Sequence, residues 1–392
     1  MKFCAVTCVK DSHILLSASI QHLALNGIED FYIYDHGSEP ALANFLEKEL
    51  KSEKIRLQIL RKESGPFFQR EMVNVLTTLA RDDGFDMVVA FDADEFWCST
   101  ANGISLIDQI TQEFGDDIDI LRVPVINYAQ HRDVEAFGID SLARCRYSVT
   151  PIRDDTQHAR DLVDAGIPFL AIPFPPKVIT RLSPDIKFTM GQHFITKASG
   201  DIKIRDASCI VVRHLPMPSK DHIFLKREQG LRLIAGDYPM EVGWQAQRLA
   251  YASDDELTAY WENNSWHATD DQSAAVGAYD GTVFDDALAQ IGAELAGNQA
   301  GAHPGPSIAG SVPMCPSSIP AKQLERVIQS LVDDQGVAER VIENLRLALA
   351  RASAERDQAL SRRRPLPWRV GVACIEGIKH LERRIRHCRK GV

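Results

Sequence analysis

The chain lacks a membrane span. A transmembrane helix needs roughly 18 consecutive apolar residues, and no stretch reaches that. It also lacks paired cysteines. The eight cysteines (4, 8, 98, 145, 209, 315, 374 and 388) include no Cys-x-x-Cys, which argues against a zinc site or a disulfide framework. Scattered thiols suit a reducing, cytoplasmic setting. Glycine is missing from Thr7 to Ser12, just after the first apolar run, where only Lys10 is basic. That argues against the glycine-rich loop with which nucleotidyltransferases hold a triphosphate. Paired aspartates are likewise absent there, against an aspartyl phosphohydrolase. Met1 to Lys10 is too short and interrupted for a signal peptide and reads as a first strand.

What is present is an ordinary globular composition over 392 residues, 45% hydrophobic and 25% charged. The net charge of −10 is unevenly spread. Arg351 to Val392 holds 12 Lys/Arg against 4 Asp/Glu, out of totals of 44 and 54. An acidic body thus carries a basic tail, suited to an anionic surface.

Strand and helix patterns alternate through the first hundred residues. Strands are expected at Phe3–Val9, Phe31–Tyr34, Ile55–Leu60 and Met87–Phe91. Helices are expected at His13–Asn26, ending in Asn26-Gly27, and at Ala41–Leu50 and Gln69–Ala80. This predicts an α/β fold, a mixed, mostly parallel Rossmann-like sheet covered on both faces, with ligands at the strands' C-terminal ends. Further strands are expected at Ile120–Ile126 and Ile210–Val212, and a helix at Phe224–Ala235.

The expected layout is a catalytic domain over 1–235, a helical extension over 236–297, a linker over 298–320 and a C-terminal helical region. Heptad-spaced apolar residues from Leu324 to Ala359 read as a coiled coil over 321–361, hence a homo-oligomer, or as a helix packed on its own domain. Residues 362–392 form a basic amphipathic tail. It suits the inner face of a cytoplasmic membrane, or docking on the acidic body. One short basic run does not argue for nucleic acid.

The most informative stretch is Val88-Val89-Ala90-Phe91-Asp92-Ala93-Asp94-Glu95-Phe96-Trp97. An apolar strand ends in three carboxylates, which is costly near a core without a ligand. Oxygen ligands at a strand end suit a divalent cation that holds a diphosphate. Asp92 and Asp94, two apart on an extended chain, would point to one side.

These residues resemble a GT-A glycosyltransferase of the family-2-like group that shades into glycosyltransferase family 92. Asp92-Ala93-Asp94-Glu95-Phe96 is similar to its Asp-x-Asp-Glu-Phe signature. Asn26-Gly27 through Asp35-His36-Gly37-Ser38, Pro176-Lys177-Val178-Ile179, Gly191-Gln192-His193 and Arg213-His214-Leu215 resemble further blocks. Asp11-Ser12 stands where the family has Asn-Glu.

The resemblance covers about residues 1 to 235. It implies a metal-dependent, inverting glycosyltransferase moving a sugar from a nucleotide-diphosphate donor, as a UDP-sugar, to a glycan or lipid-linked acceptor. Asp94 would ligate Mn²⁺ or Mg²⁺, Asp92 would be ligand or ribose contact, and His214 or His193 would complete the set. Thr7, Asp35, Arg70 and Lys177 would contact the nucleotide sugar, with Arg213 and Lys226 near phosphate. Glu95, Asp133 and Glu135 are the candidate bases. The alternative is a non-catalytic interaction protein working through its coiled coil and tail.

Overall fold

The computed structural model describes residues 1–50, 52, 54–62, 69–115, 117–152, 159–198, 200–235, 243–268, 274–299, 307–308 and 312–313. The expected coiled coil and basic tail lie outside these residues. The described residues all belong to one compact unit, Met1–Ile319.

The unit opens with three βα steps and a fourth strand: β1 (Phe3–Val9), α1 (His13–Leu25), β2 (Asp30–Asp35), α2 (Leu42–Glu49), β3 (Arg56–Arg61), α3 (Gln69–Asp82) and β4 (Met87–Ala90). There follow β5 (Glu95–Ser99), α4 (Leu106–Glu113), β6 (Ile120–Val123), β7 (Val125–Ala129), β8 (Tyr147–Val149) and α5 (Ala159–Asp164). Next come β9 (Lys177–Arg181), β10 (Ile186–Phe188), β11 (Ile195–Lys197), β12 (Ile204–Asp206), β13 (Ile210–His214) and α6 (Lys220–Ala235). The last are α7 (Trp244–Leu249), α8 (Asp254–Asn263), β14 (Trp266–Ala268), β15 (Ala274–Val276), β16 (Thr282–Phe284), α9 (Ala287–Gln299), β17 (Ser307–Ile308) and β18 (Val312–Pro313).

The main sheet runs β12-β6-β9-β4-β1-β2-β3-β17, with β18 also on β3. It is mixed but mostly parallel, as the alternating pattern predicts. β1 lies parallel between β2 and β4, while β9 runs antiparallel to β4 and β6. β1 shows why both faces are covered. Phe3, Ala5 and Val9 pack with Leu16, Ile20 and Leu23 of α1. Cys4, Val6 and Cys8 face Val73, Leu76 and Ala80 of α3. A strand buried on both sides reads as a continuous apolar run, as this one does.

A second sheet, β16-β8-β7-β13-β5, carries the other half of the site. Pro124 accounts for one departure from expectation. Ile120–Ile126 is not one strand: β6 stops at Val123 in the main sheet, and β7 starts at Val125 in the second. Proline has no N–H for a ladder and marks the change of sheet.

The expected boundary at residue 235 is not where the compact unit ends. β16 pairs with β8, and Leu288, Ile291 and Leu295 of α9 share a core with Leu15, Phe96 and Tyr128. The helical reading of 236–297 also misses the β14–β15 pair and β16. Within the expected linker, β17 and β18 pair with β3 and occupy what would otherwise be an open edge. The five described cysteines are free, and no described helix is long and apolar enough to cross a membrane.

Helix α1 ends as its sequence suggests. Gly27 has φ +97°, and a Cβ there would sit 3.0 Å from Ile107 Cδ1. Positive φ favours glycine at this position. Gly27→Ala should lower stability by about 1–3 kcal/mol, read as an earlier urea midpoint; an unchanged midpoint would contradict the argument.

Candidate functional site

The site forms where the C-terminal edge of the main sheet meets the second sheet. After β4 the chain does not stay extended. Asp92 O accepts the Glu95 N–H at 3.1 Å, so Asp92 to Glu95 is a tight turn. The expectation that an extended segment aligns Asp92 with Asp94 is therefore corrected. The turn separates the two carboxylates and gives each its own partner.

Four further bonds fix the turn. Glu95 Oε2 accepts the Asp92 N–H at 3.2 Å, and Ser19 Oγ donates to Ala93 O at 2.7 Å. Leu215 N–H donates to Asp94 O at 2.9 Å. Gln69 Nε2, at the start of α3, donates to Asp92 Oδ1 at 3.2 Å. Backbone carbonyls and carboxylates that would otherwise be costly here are thus satisfied from α1, α3 and β13.

Lys177 forms the floor. It is the first residue of β9, beside β4, and its side chain is 4% exposed. Its Nζ lies 2.6 Å from Asp92 Oδ2 and 2.8 Å from Glu95 Oε1. It also donates to Gly191 O at 3.1 Å. Burial works against its charge, but Asp92 and Glu95 prevail and hold it above the ordinary lysine range. The Glu95 side chain is 2% exposed, and burial pushes its carboxyl up to about 7 against the pull of Lys177.

Asp94 and His214 form the other side. β5 and β13 are antiparallel, with His214 opposite Glu95. His214 Nε2 lies 3.5 Å from Asp94 Oδ2. Asn127 on β7 donates through Nδ2 to Leu170 O at 2.9 Å, which leaves its Oδ1 to accept from His214 Nδ1, also at 2.9 Å. The network therefore assigns the proton to Nδ1 and turns Nε2 toward Asp94. A carboxylate oxygen facing an imidazole lone pair needs a proton or a cation between them. Burial opposes the Asp94 charge, yet a proton held between it and His214, with Lys226 beyond, keeps the carboxyl well below its usual range.

Helix α6 adds two basic side chains. His222 and Lys226 stand one turn apart on it, both half-buried. Burial lowers the Lys226 ammonium from its ordinary value while Asp94 and Asp92 pull the other way. Burial, with Lys226 adding to it, pushes His222 down to about 3. Lys226 has no ion pair or hydrogen bond among the described residues.

The other predicted residues stand as follows. Asp35 ends β2, is 1% exposed, accepts the Ser38 N–H at 2.8 Å and pairs with Arg61 at 3.3 Å. This is the turn-forming role an aspartate takes before a glycine. It lies two strands along the edge from the turn, about 10 Å by strand spacing. The Thr7 hydroxyl is buried without a hydrogen-bond partner. Arg70 pairs with its neighbour Glu71.

His193 Nδ1 lies 3.2 Å from Pro176 O. Burial and then Lys177 push its ring down to about 4. Asp133 and Glu135 are 71% and 68% exposed, in the loop after β7, where Val134 O and Glu135 O accept N–H groups from the start of α6. Sequence reasoning missed Gln69, Ser19, Asn127 and His222. For His222 the signal was there, at i, i+4 from Lys226 on one helix face.

Among the described residues no three His, Cys, Asp or Glu side chains gather to hold a metal. Asp94 and His214 nevertheless fit a cation that takes its other oxygens from water or a bound diphosphate, since Mg²⁺ usually keeps several waters and is commonly held by one or two carboxylates plus phosphates.

No protein-family model matches the chain, and no curated protein matches its sequence. Among solved structures, S. aureus TarS 1–349 in complex with UDP-GlcNAc overlays with TM-score 0.32 and 13% identity, over 67% of this chain and 72% of that one. S. aureus TarS gives TM-score 0.30 and 13% identity, over 67% of this chain and 48% of that one. Scores of this size do not equate two folds; the α/β architecture rests on the chain's own strand order.

Glu95 makes the site pH-sensitive. Its carboxyl is raised from 4.5 to about 7. The stability it contributes is full below pH 4.5 and lost as pH rises to about 7. Glu95→Gln removes this titration. The wild-type advantage over the variant should therefore shrink across that window in urea unfolding at stepped pH; a constant difference would contradict the assignment.

Proposed function

We propose that the chain is a nucleotide-diphosphate-sugar transferase of GT-A type, taking a UDP-sugar. The observation that carries this is Lys226: an ammonium with no partner among the described residues, half-buried, within electrostatic reach of Asp94 and Asp92. A cation partly withdrawn from water with no ion pair of its own is costly, and a diphosphate would supply that pair. Lys226 is the only one of the expected lysine and arginine phosphate contacts left uncommitted. Lys177 is committed to Asp92 and Glu95, Arg70 to Glu71, and Arg213 to Tyr128 and Asp285.

The chemistry follows from this placement. An acceptor hydroxyl attacks the anomeric carbon, its proton passes to a base, and the sugar–phosphate bond breaks with the electron pair leaving on the diphosphate. Lys226 stabilises the charge that grows there. A divalent cation, Mn²⁺ or Mg²⁺, held by Asp94 and His214 would neutralise the same charge. Attack opposite the leaving group inverts the anomeric centre. Glu95, closed off under Lys177, is poorly placed as the base. Asp133 and Glu135, exposed on the loop over the start of α6, reach solvent from the second sheet. The acceptor is a glycan or lipid-linked glycan; the basic 362–392 segment in the sequence supports a membrane-surface acceptor.

Calorimetry with UDP-, GDP- and CMP-sugars tests the reading. One nucleotide class should bind, and Lys226→Met should weaken it by about tenfold, the loss of one charge-assisted contact. Binding of none of them by folded protein, or an unchanged affinity in Lys226→Met, would overturn it.

A further inference from the structure

We propose that Lys177 is a resident cation that takes Asp92 out of the ligand set, so that a divalent ion bound at this turn is held by Asp94 and His214 and gains nothing from Asp92. This deepens the proposed function, resting on its reading that the site takes a divalent cation.

The coordination of Nζ carries the argument. Four oxygens lie around it: Asp92 Oδ2 at 2.6 Å, Glu95 Oε1 at 2.8 Å, Gly191 O at 3.1 Å and Gln192 Oε1 at 3.5 Å. Two are carboxylate oxygens and two are neutral carbonyls. This is the donor set that a hard cation takes, and here an ammonium occupies it. The Gly191 backbone is shaped to the purpose. Its φ is +72°, and a Cβ there would lie 2.7 Å from the His193 ring, so a larger residue would disturb the carbonyl that Lys177 uses.

Both oxygens of Asp92 already have a partner, which leaves one lone pair on each. Oδ2 is taken by Lys177, and Oδ1 accepts from Gln69 Nε2. A divalent ion on either oxygen would stand close to a fixed positive charge. Lys177 cannot readily withdraw, since that would leave two carboxylates beside one another without compensation, one of them fully buried. Asp94 differs in its partners. Its side chain is less exposed than that of Asp92, 19% against 33%, but its one ion pair among the described residues is with His214 Nε2, at 3.5 Å. The two aspartates of the sequence motif therefore have separate tasks. Asp92 ties the turn to the floor, and Asp94 faces the ligand.

Mn²⁺ alone, with no nucleotide, separates this proposal from the donor reading. Its binding would be followed by electron paramagnetic resonance of the free ion in wild type, Asp92→Asn, Asp94→Asn and Lys177→Met, each checked for fold by circular dichroism. Asp92→Asn should keep the wild-type affinity, while Asp94→Asn should weaken it by about tenfold or more. Lys177→Met releases Asp92 and Glu95 as ligands and should tighten binding by about tenfold. If Lys177→Met does not fold, the comparison of the two aspartate variants decides alone. Equal loss in Asp92→Asn and Asp94→Asn overturns the proposal, as does a folded Lys177→Met of unchanged affinity or wild type that takes up no Mn²⁺. Failure of nucleotide sugars to bind, with the expected Mn²⁺ pattern intact, would count against the donor reading only.

Discussion

One buried ammonium organises the site. Lys177 joins the end of β4 to the start of β5 by pairing with both Asp92 and Glu95. Without it the turn would present two neighbouring carboxylates, one of them buried, which the protein could not keep ionised. With it the turn is fixed, and its third carboxylate, Asp94, is left to pair with His214. Breaking a buried pair of this kind costs much more than never having built it. The Asp92–Glu95 turn thus depends on a residue more than eighty positions later in the chain.

The two sheets divide the work. The main sheet supplies the floor, through β4 and β9, and the second sheet supplies His214, aligned by the β5–β13 register and by Asn127. Helix α6 then places His222 and Lys226 within electrostatic reach of Asp94. Negative charge on the turn beside an uncommitted positive charge on the helix suits an anionic ligand able to bring a cation with it.

Much of this was legible in the sequence. The alternation of strand and helix patterns through residue 91 gave the parallel core, because a doubly covered strand must be apolar throughout. The Asp92–Glu95 cluster stood out because carboxylates at the end of such a strand demand an explanation. Long-range pairing was not legible. Nothing local reveals that Lys177 meets Asp92, that Asn127 fixes the tautomer of His214, or that Pro124 divides one apolar run between two sheets. The turn itself was misread as extended, since a period-two argument holds only while the chain remains a strand. Asp35 shows the same limit: its neighbours Gly37 and Ser38 allowed both a ligand contact and a local turn, and the fold uses both its oxygens internally.

A structure of the protein crystallised with UDP tests the central claim most directly. The account predicts the diphosphate against Lys226 and beside the Asp94–His214 pair, with Lys177 still on Asp92 and Glu95. A diphosphate bound by Lys177, with that ammonium swung away from Asp92, or a nucleotide seated elsewhere on the chain, would contradict it.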